Sequence, residues 1–215
     1  MTSPSNTLIV IGHPIADSFN HAVAAAYADA ARESGEVRVL DLADLDFELS
    51  PDDRDSLRTG REGEVDHLDA GTRHAIELVR WADHLVFVYP QWWGTYPAVF
   101  KAFIDRVFVS GFAFRYGSGH RSEPLLGGRT ARVVMTMDSP TAWNRLVYRN
   151  ASETSLIRAT LRYCGIRTVG VTRFAAVRFS TEERRAAWLD QARAIAQTDA
   201  ARSRRRTGSR GLVAA

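Results

Sequence analysis

The sequence predicts an α/β protein: a doubly wound, five-stranded parallel sheet with helices on both faces. Three observations carry this. Short, continuous apolar runs recur along the chain, segments of helical period separate them, and glycine, proline and capping residues punctuate the junctions. A run that is apolar at every position suits a strand covered on both faces, whereas alternation would suit a half-solvated one. With 215 residues and 45% hydrophobic side chains, the chain can bury one full core.

The first strand is expected at Thr7 to Ile11, followed by a helix whose stripe is Phe19, Ala22, Val23, Ala26, Tyr27 and Ala30. Val37 to Leu40 supplies the second strand, and a long connection, Leu42 to Gly71, leads to a helix of weaker pattern over Arg73 to Trp81. Leu85 to Tyr89 is the third strand. Pro97 suits the first turn of the next helix, with Phe100, Phe103, Ile104, Val107 and Phe108 on its apolar face. A second long connection, Ser110 to Gly128, precedes the fourth strand at Ala131 to Thr136; insertions of that length are usually functional or interfacial. Leu156, Ile157, Leu161 and Cys164 mark another helix, closed by Gly165, and Ile166 to Phe174 is the fifth strand. Ser180 and Glu183 have capping-box spacing ahead of the last stripe, Trp188, Leu189, Ala192, Ile195 and Ala196.

Residues 1–197 therefore read as a single domain. Residues 198–215 read as an arginine-rich tail, too poor in large apolar side chains to order itself. The net charge is only +3, and much of the basic excess sits at Arg202, Arg204, Arg205, Arg206 and Arg210, which disfavours a nucleic-acid partner for the domain. One cysteine, Cys164, excludes an internal disulfide or a cysteine metal cage; it is expected to pack in a helix of a cytoplasmic protein. No run approaches the roughly 18 apolar residues that span a bilayer. The six histidines, His13, His21, His67, His74, His84 and His120, lie apart and suggest neither a metal site nor a catalytic triad.

In an open α/β sheet, ligands bind beyond the carboxyl ends of the strands. Three loops meet that description. The first, Gly12 to Asn20, carries His13, Ser18, Phe19 and Asn20 into the first helix, whose free N–H groups favour an anion such as a phosphate. It matches neither G-x-G-x-x-G nor the P-loop pattern, which disfavours a dinucleotide fold or an NTPase. The second, Tyr89 to Pro97, holds Pro90, Gln91, Trp92 and Trp93; two adjacent tryptophans between strand and helix cannot both face the core, and a planar heteroaromatic ring suits them. The third is Thr136, Met137, Asp138, Ser139 and onward to Trp143, whose backbone donors would meet the ring from its other edge. There Asp138 is expected to turn its carboxylate away and cap its own loop.

Together the three loops resemble the flavodoxin-like NAD(P)H:quinone oxidoreductases, the family of DT-diaphorase and shorter bacterial members. The resemblance spans roughly Thr7 to Gln197. It rests on Gly12-His13 with Ser18-Phe19-Asn20, on Phe87 to Gly94 followed by Pro97-Ala98 and Lys101, and on Phe103 to Phe108, continuing through Gly111 to Phe114, Pro124 to Gly128 and Cys164-Gly165. It implies strand order 2-1-3-4-5, and a flavin with His13, Ser18, Phe19 and Asn20 about its phosphate and ribityl chain. Pro90, Gln91, Trp92 and Trp93 would pack on the ring, and Thr136, Met137, Asp138 and Ser139 would face its pyrimidine edge with Trp143 close by. It also implies a homodimer in which Phe114 and Tyr116 reach the partner's flavin and, with Trp93, form the substrate slot.

Where DT-diaphorase places a tyrosine and a histidine as a proposed relay, Trp143 to Ser155 contains no histidine, and Tyr148 is the nearest polar replacement. The chain lacks that relative's long C-terminal extension and looks closer to the short members, so FMN is expected, with FAD as the alternative. The expected activity is ping-pong, two-electron hydride transfer from NAD(P)H, through the flavin, to a quinone or similar aromatic acceptor. Other readings are an ancillary regulatory subunit of a potassium efflux system and a one-electron flavodoxin-type carrier; such carriers are usually acidic, unlike this chain.

Overall fold

Thr7–Ile11 (β1) and His84–Pro90 (β3) are buried at every position, as strands covered on both faces must be. They form the middle of a five-stranded parallel sheet in the computed structural model, which describes residues 5–60, 63–117 and 121–211. With β2 (Val37–Asp41), β6 (Thr130–Met137) and β7 (Arg167–Ala175), the order is β2-β1-β3-β6-β7. Counting only these strands along the chain, this is the expected 2-1-3-4-5. Register brings the carboxyl ends level: Ile11 lies opposite Asp41 on one side and Val88 on the other, and Pro90 lies opposite Thr136.

Two helical layers cover the sheet. On one face α1 (Phe19–Arg32) and α6 (Glu182–Gly211) bury Val23, Ala26, Tyr27, Ala192 and Ala196 against Ile9, Ile11, Val86, Val88 and Val134. On the other, α2 (Ala70–Trp81), α3 (Ala98–Val107) and a π-helical turn, Ser155–Leu161, bury Ile76, Val79, Phe100, Phe103 and Leu161 against Leu8, Val10, Leu85, Phe87 and Val133. The short helices α4 (Thr141–Leu146) and α5 (Ala151–Thr154) lead into that turn.

Several expected boundaries move, each for a local reason. Helix α2 starts at Ala70 rather than Arg73, because the Asp69 carboxylate accepts from the Thr72 N–H and caps it. Thr181 rather than Ser180 caps α6: its Oγ1 accepts from the Arg184 N–H, while the Ser180 hydroxyl donates to the Val177 carbonyl. The second long connection contains an antiparallel ribbon, β4 (Phe114–Tyr116) with β5 (Ser122–Pro124). In the first, Arg106 of α3 is fully buried and donates to the Ser56 carbonyl, Glu48 and Asp69.

The position expected as the domain boundary, Gln197, lies inside α6, which runs as helix through Gly211. Asp199 is buried against Arg132, so this helix belongs to the core at least that far. The last four residues, 212–215, lie outside the described part.

Candidate functional site

Because β1, β3 and β6 are neighbours in the sheet, the loops that follow them emerge side by side. The first begins at Gly12, whose N–H donates to the Val88 carbonyl (2.8 Å) and where a Cβ would lie 2.8 Å from the Phe100 ring. His13 Nδ1 then accepts from the Ile15 N–H (3.0 Å). Burial, and then the neighbouring His21, lower the His13 pKa, opposed by the Ile15 contact and by Asp41. Asp17 takes a left-handed conformation (φ +57°) and turns the chain into α1, with Ser18 as its N-cap. The N–H groups of Phe19 and Asn20 have no backbone acceptor among the described residues, so the helix start presents donors and its positive dipole end. The Phe19 ring packs inward on Phe174 and Trp188, which leaves its backbone as the part available at the loop.

In the second loop Trp92 and Thr95 exchange backbone hydrogen bonds (2.9 Å each), closing a tight turn with Trp93 (φ +51°) and Gly94 (φ +76°) at its tip. A large aromatic residue in the left-handed region is uncommon, and such strain concentrates at functional sites. Trp93 is 98% exposed and Trp92 41%. Pro90 ends β3 and is buried in the sheet, so its role at the edge is to aim the turn.

In the third loop Thr136 and Met137 are buried, and the Met137 side chain belongs to the core. Asp138 does not cap its own loop: its Oδ1 accepts from the Arg178 N–H (3.0 Å), with the Arg178 guanidinium nearby (3.4 Å). The reason is topological, since β7 runs beside β6 and delivers Arg178 to the same edge. Trp143 is half exposed on α4. The half-buried Tyr148 lies edge-on to Trp143 (6.4 Å between ring centroids), and a Cβ at Gly94 would meet the Tyr148 ring at 3.0 Å.

The three loops are tied to one another. Thr136 Oγ1 donates to Asn20 Oδ1 (3.2 Å), Ser139 Oγ donates to Gln91 Oε1 (3.3 Å), and the rings of His13 and Trp92 meet edge to face at 5.7 Å. The structure therefore brings together His13, Ser18, Asn20, Gln91, Trp92, Trp93, Thr136, Ser139, Trp143 and Tyr148. Phe114 and Tyr116 stand elsewhere in the chain: they pack edge to face at 5.3 Å and line a groove with Leu57, Phe108 and Tyr163.

Asn144, Glu153 and Arg173, and separately His21 with Asp41, escaped sequence reasoning. Behind the second and third loops, Gln91 Nε2 donates to Asn144 Oδ1 (2.6 Å), Asn144 Nδ2 to Glu153 Oε1 (3.3 Å) and Arg173 Nε to the same carboxylate oxygen (2.7 Å). Beside the first loop, His21 Nδ1 meets Ser18 and His21 Nε2 meets Asp41 Oδ2 (2.7 Å). The spacing Ser18-x-x-His21 is that of a capping box with histidine in the usual place of glutamate or glutamine, a signal that was available. Among the described residues no group of three or more histidine, cysteine, aspartate or glutamate side chains is placed to hold a metal ion, and no helix is long and apolar enough to cross a membrane.

A parallel sheet in this order, with a helix start and an exposed aromatic turn side by side at its carboxyl edge, has the architecture of the flavodoxin class. The chain belongs to the Flavodoxin_2 family, described as the flavodoxin-like fold, whose model matches residues 5–198. It is 28% identical over 192 residues to an uncharacterized NAD(P)H oxidoreductase of Haemophilus influenzae, covering 87% of this chain and 92% of that one. To the human ribosyldihydronicotinamide dehydrogenase [quinone] it is 27% identical over 210 residues, covering 87% and 90%. Among solved structures, Smu.1420 from Streptococcus mutans UA159 superposes with a TM-score of 0.74 at 28% identity, covering 90% of this chain and 99% of that one. These names bear out the resemblance to the flavodoxin-like NAD(P)H:quinone oxidoreductases.

Proposed function

We propose that the chain is a flavin-dependent NAD(P)H:quinone-type oxidoreductase that holds FMN on the three cross-tied loops. The observation that carries this reading is Trp93: an almost fully exposed indole, held in a left-handed turn, beside a helix start with free N–H donors. A flat ring with a phosphate at the end of a polar chain matches both features. The names of the Haemophilus and human relatives support the same class of reaction. FMN is preferred to FAD on the resemblance to the short members of the family.

On this reading His13, Ser18 and the N–H groups of Phe19 and Asn20 hold the phosphate and ribityl chain. Gln91, Trp92 and Trp93 hold the ring, with Pro90 aiming their turn, while the backbone of Thr136 to Ser139 faces the pyrimidine edge and Trp143 flanks it. When bound, the flavin supplies hydride transfer between NAD(P)H and a two-electron aromatic acceptor. The protein orients donor and acceptor in turn over the same face of the Trp93 turn and keeps Tyr148 as the polar group beside it. Phe114 and Tyr116, whose groove lies apart from the chain's own loops, close the slot of a partner subunit in a homodimer.

The test is purification followed by kinetics. A yellow protein that releases FMN on heating, and ping-pong patterns with NADPH and a benzoquinone, are the expected results. A protein that refuses flavin, or a loaded one that does not oxidise NAD(P)H, overturns the proposal.

A further inference from the structure

Ser18, His21 and Asp41 form a hydrogen-bonded chain at the start of α1. The Ser18 N–H reaches His21 Nδ1 at 3.2 Å and Ser18 Oγ lies 2.8 Å from the same nitrogen. A backbone N–H can only donate, so Nδ1 carries a lone pair and the ring proton sits on Nε2, 2.7 Å from Asp41 Oδ2. The side chains of His21 and Asp41 are each 19% exposed, so water only partly screens the pair. The titratable groups around His21 are Asp41 from the end of β2, His13 across the loop (6.2 Å between ring centroids), and Asp17, one turn earlier in sequence. The first loop contains no lysine or arginine, so the two histidines are the groups in it and its helix start that can become cationic.

An anion seated on this helix start competes with His21 for the Ser18 N–H and hydroxyl. We propose that phosphate binding here is proton-coupled: Ser18 turns from His21 to the anion, and the vacated Nδ1 takes a proton from the solvent. Nε2–H remains on Asp41, so the new imidazolium is paired from the moment it forms and places a positive charge beside the phosphate. No covalent bond to phosphorus forms or breaks; one proton moves from bulk buffer to Nδ1. The inference rests on the flavin reading above and adds to it a reason why the monophosphate, rather than the ring alone, sets affinity. It also makes flavin retention depend on pH.

The test is isothermal titration of the flavin-free full chain with FMN and, separately, with riboflavin, in buffers of different ionisation enthalpy at pH 8. There the FMN phosphate is already a dianion, so proton uptake is not its own. FMN should bind with uptake approaching one proton and an affinity that falls by up to about tenfold per pH unit; riboflavin should bind with none. His21→Gln retains a capping-box side chain at this position, so it should fold normally by circular dichroism and bind FMN with the uptake abolished. An imidazole nitrogen signal of His21 that moves to the protonated form when FMN is added would support the same step without any variant. FMN binding with no proton uptake, or uptake that survives His21→Gln and disappears in His13→Gln, overturns the inference while leaving the flavin reading intact. Failure to bind FMN at all overturns the flavin reading itself.

Discussion

Arg132 of β6 and Asp199 of α6 form a two-pronged buried ion pair, with Nη2 to Oδ1 at 2.6 Å and Nε to Oδ2 at 2.8 Å. The pair pins the last helix to the sheet, and β7 makes room for it: a Cβ at Gly170 would lie 2.0 Å from Arg132 Nη1. Tyr27 donates to the same carboxylate at 3.0 Å, with His84 behind it. Asp199→Ala should lower the unfolding free energy by roughly 3–5 kcal/mol, because it leaves a buried guanidinium without its partner. Urea unfolding checks this, and a change within about 0.5 kcal/mol would show that the pair is dispensable.

The same pair sets an acid limit. Burial works to raise the Asp199 carboxyl, but hydrogen bonds from His84 and Arg132, and their charge, overcome it and hold the group well below the usual carboxylate range. A depressed folded-state pKa contributes stability that is fully present above the unfolded value of about 3.9 and is lost as pH falls through the folded one. The stability gap between the parent chain and Asp199→Asn should therefore be constant from neutral pH to about 5 and narrow below about 4. Melting curves over that range would show it; a gap that widens in acid would contradict it.

Trp93→Ala should separate stability from binding. The side chain is 98% exposed, so the unfolding free energy should move by no more than about 0.5 kcal/mol. Loss of a stacking partner should weaken FMN binding by about tenfold or more. Fluorescence titration with FMN measures the second quantity, and unchanged affinity would remove Trp93 from the proposed site.

Arg173→Met should leave Glu153, which is nearly fully buried, without its charge partner. The expected cost is about 2 kcal/mol, below the 3–5 of a fully buried pair because Arg173 is partly solvated. Adding Glu153→Gln should recover most of that loss in urea unfolding, since the carboxylate that needed pairing is gone. If the double variant is no better than the single one, the charge pair is not the source of the loss.

Cys164 should be inert in the native protein. Burial pushes its thiol up to about 12, so almost no thiolate is present at pH 8. Ellman's reagent should leave it unmodified until urea exposes it, and rapid labelling of the folded chain would contradict its placement in the core.

The central strands were readable because burial on both faces leaves an unbroken apolar run: Leu85 to Tyr89 was expected and His84–Pro90 is found. The ribbon β4–β5 was not, since three residues such as Phe114-Arg115-Tyr116 show no period. The course of α6 past Gln197 was not legible for a different reason. An arginine-rich segment looks solvated, and the residue that anchors it, Asp199, has its partner 67 positions away. At the candidate site, the loops announced themselves through residue types that strands and helices rarely place at their junctions. Glu153 and Arg173 did not, because isolated charges on helix and strand read as surface until the fold sets them against each other and sets Glu153 against Asn144.

The ties among Asn20 and Thr136, Gln91 and Ser139, and His13 and Trp92 have a thermodynamic consequence. Loops fixed by one another surrender their conformational entropy when the chain folds, at roughly 1–2 kcal/mol of backbone freedom per residue, and not again when a ligand arrives. The site is thereby preorganised: its affinity is set by contacts made, with little subtracted for ordering. A substitution that cuts one tie, such as Thr136→Val, should slow ligand capture and shorten its residence even though the hydroxyl lost, which bonds Asn20, need never touch the ligand.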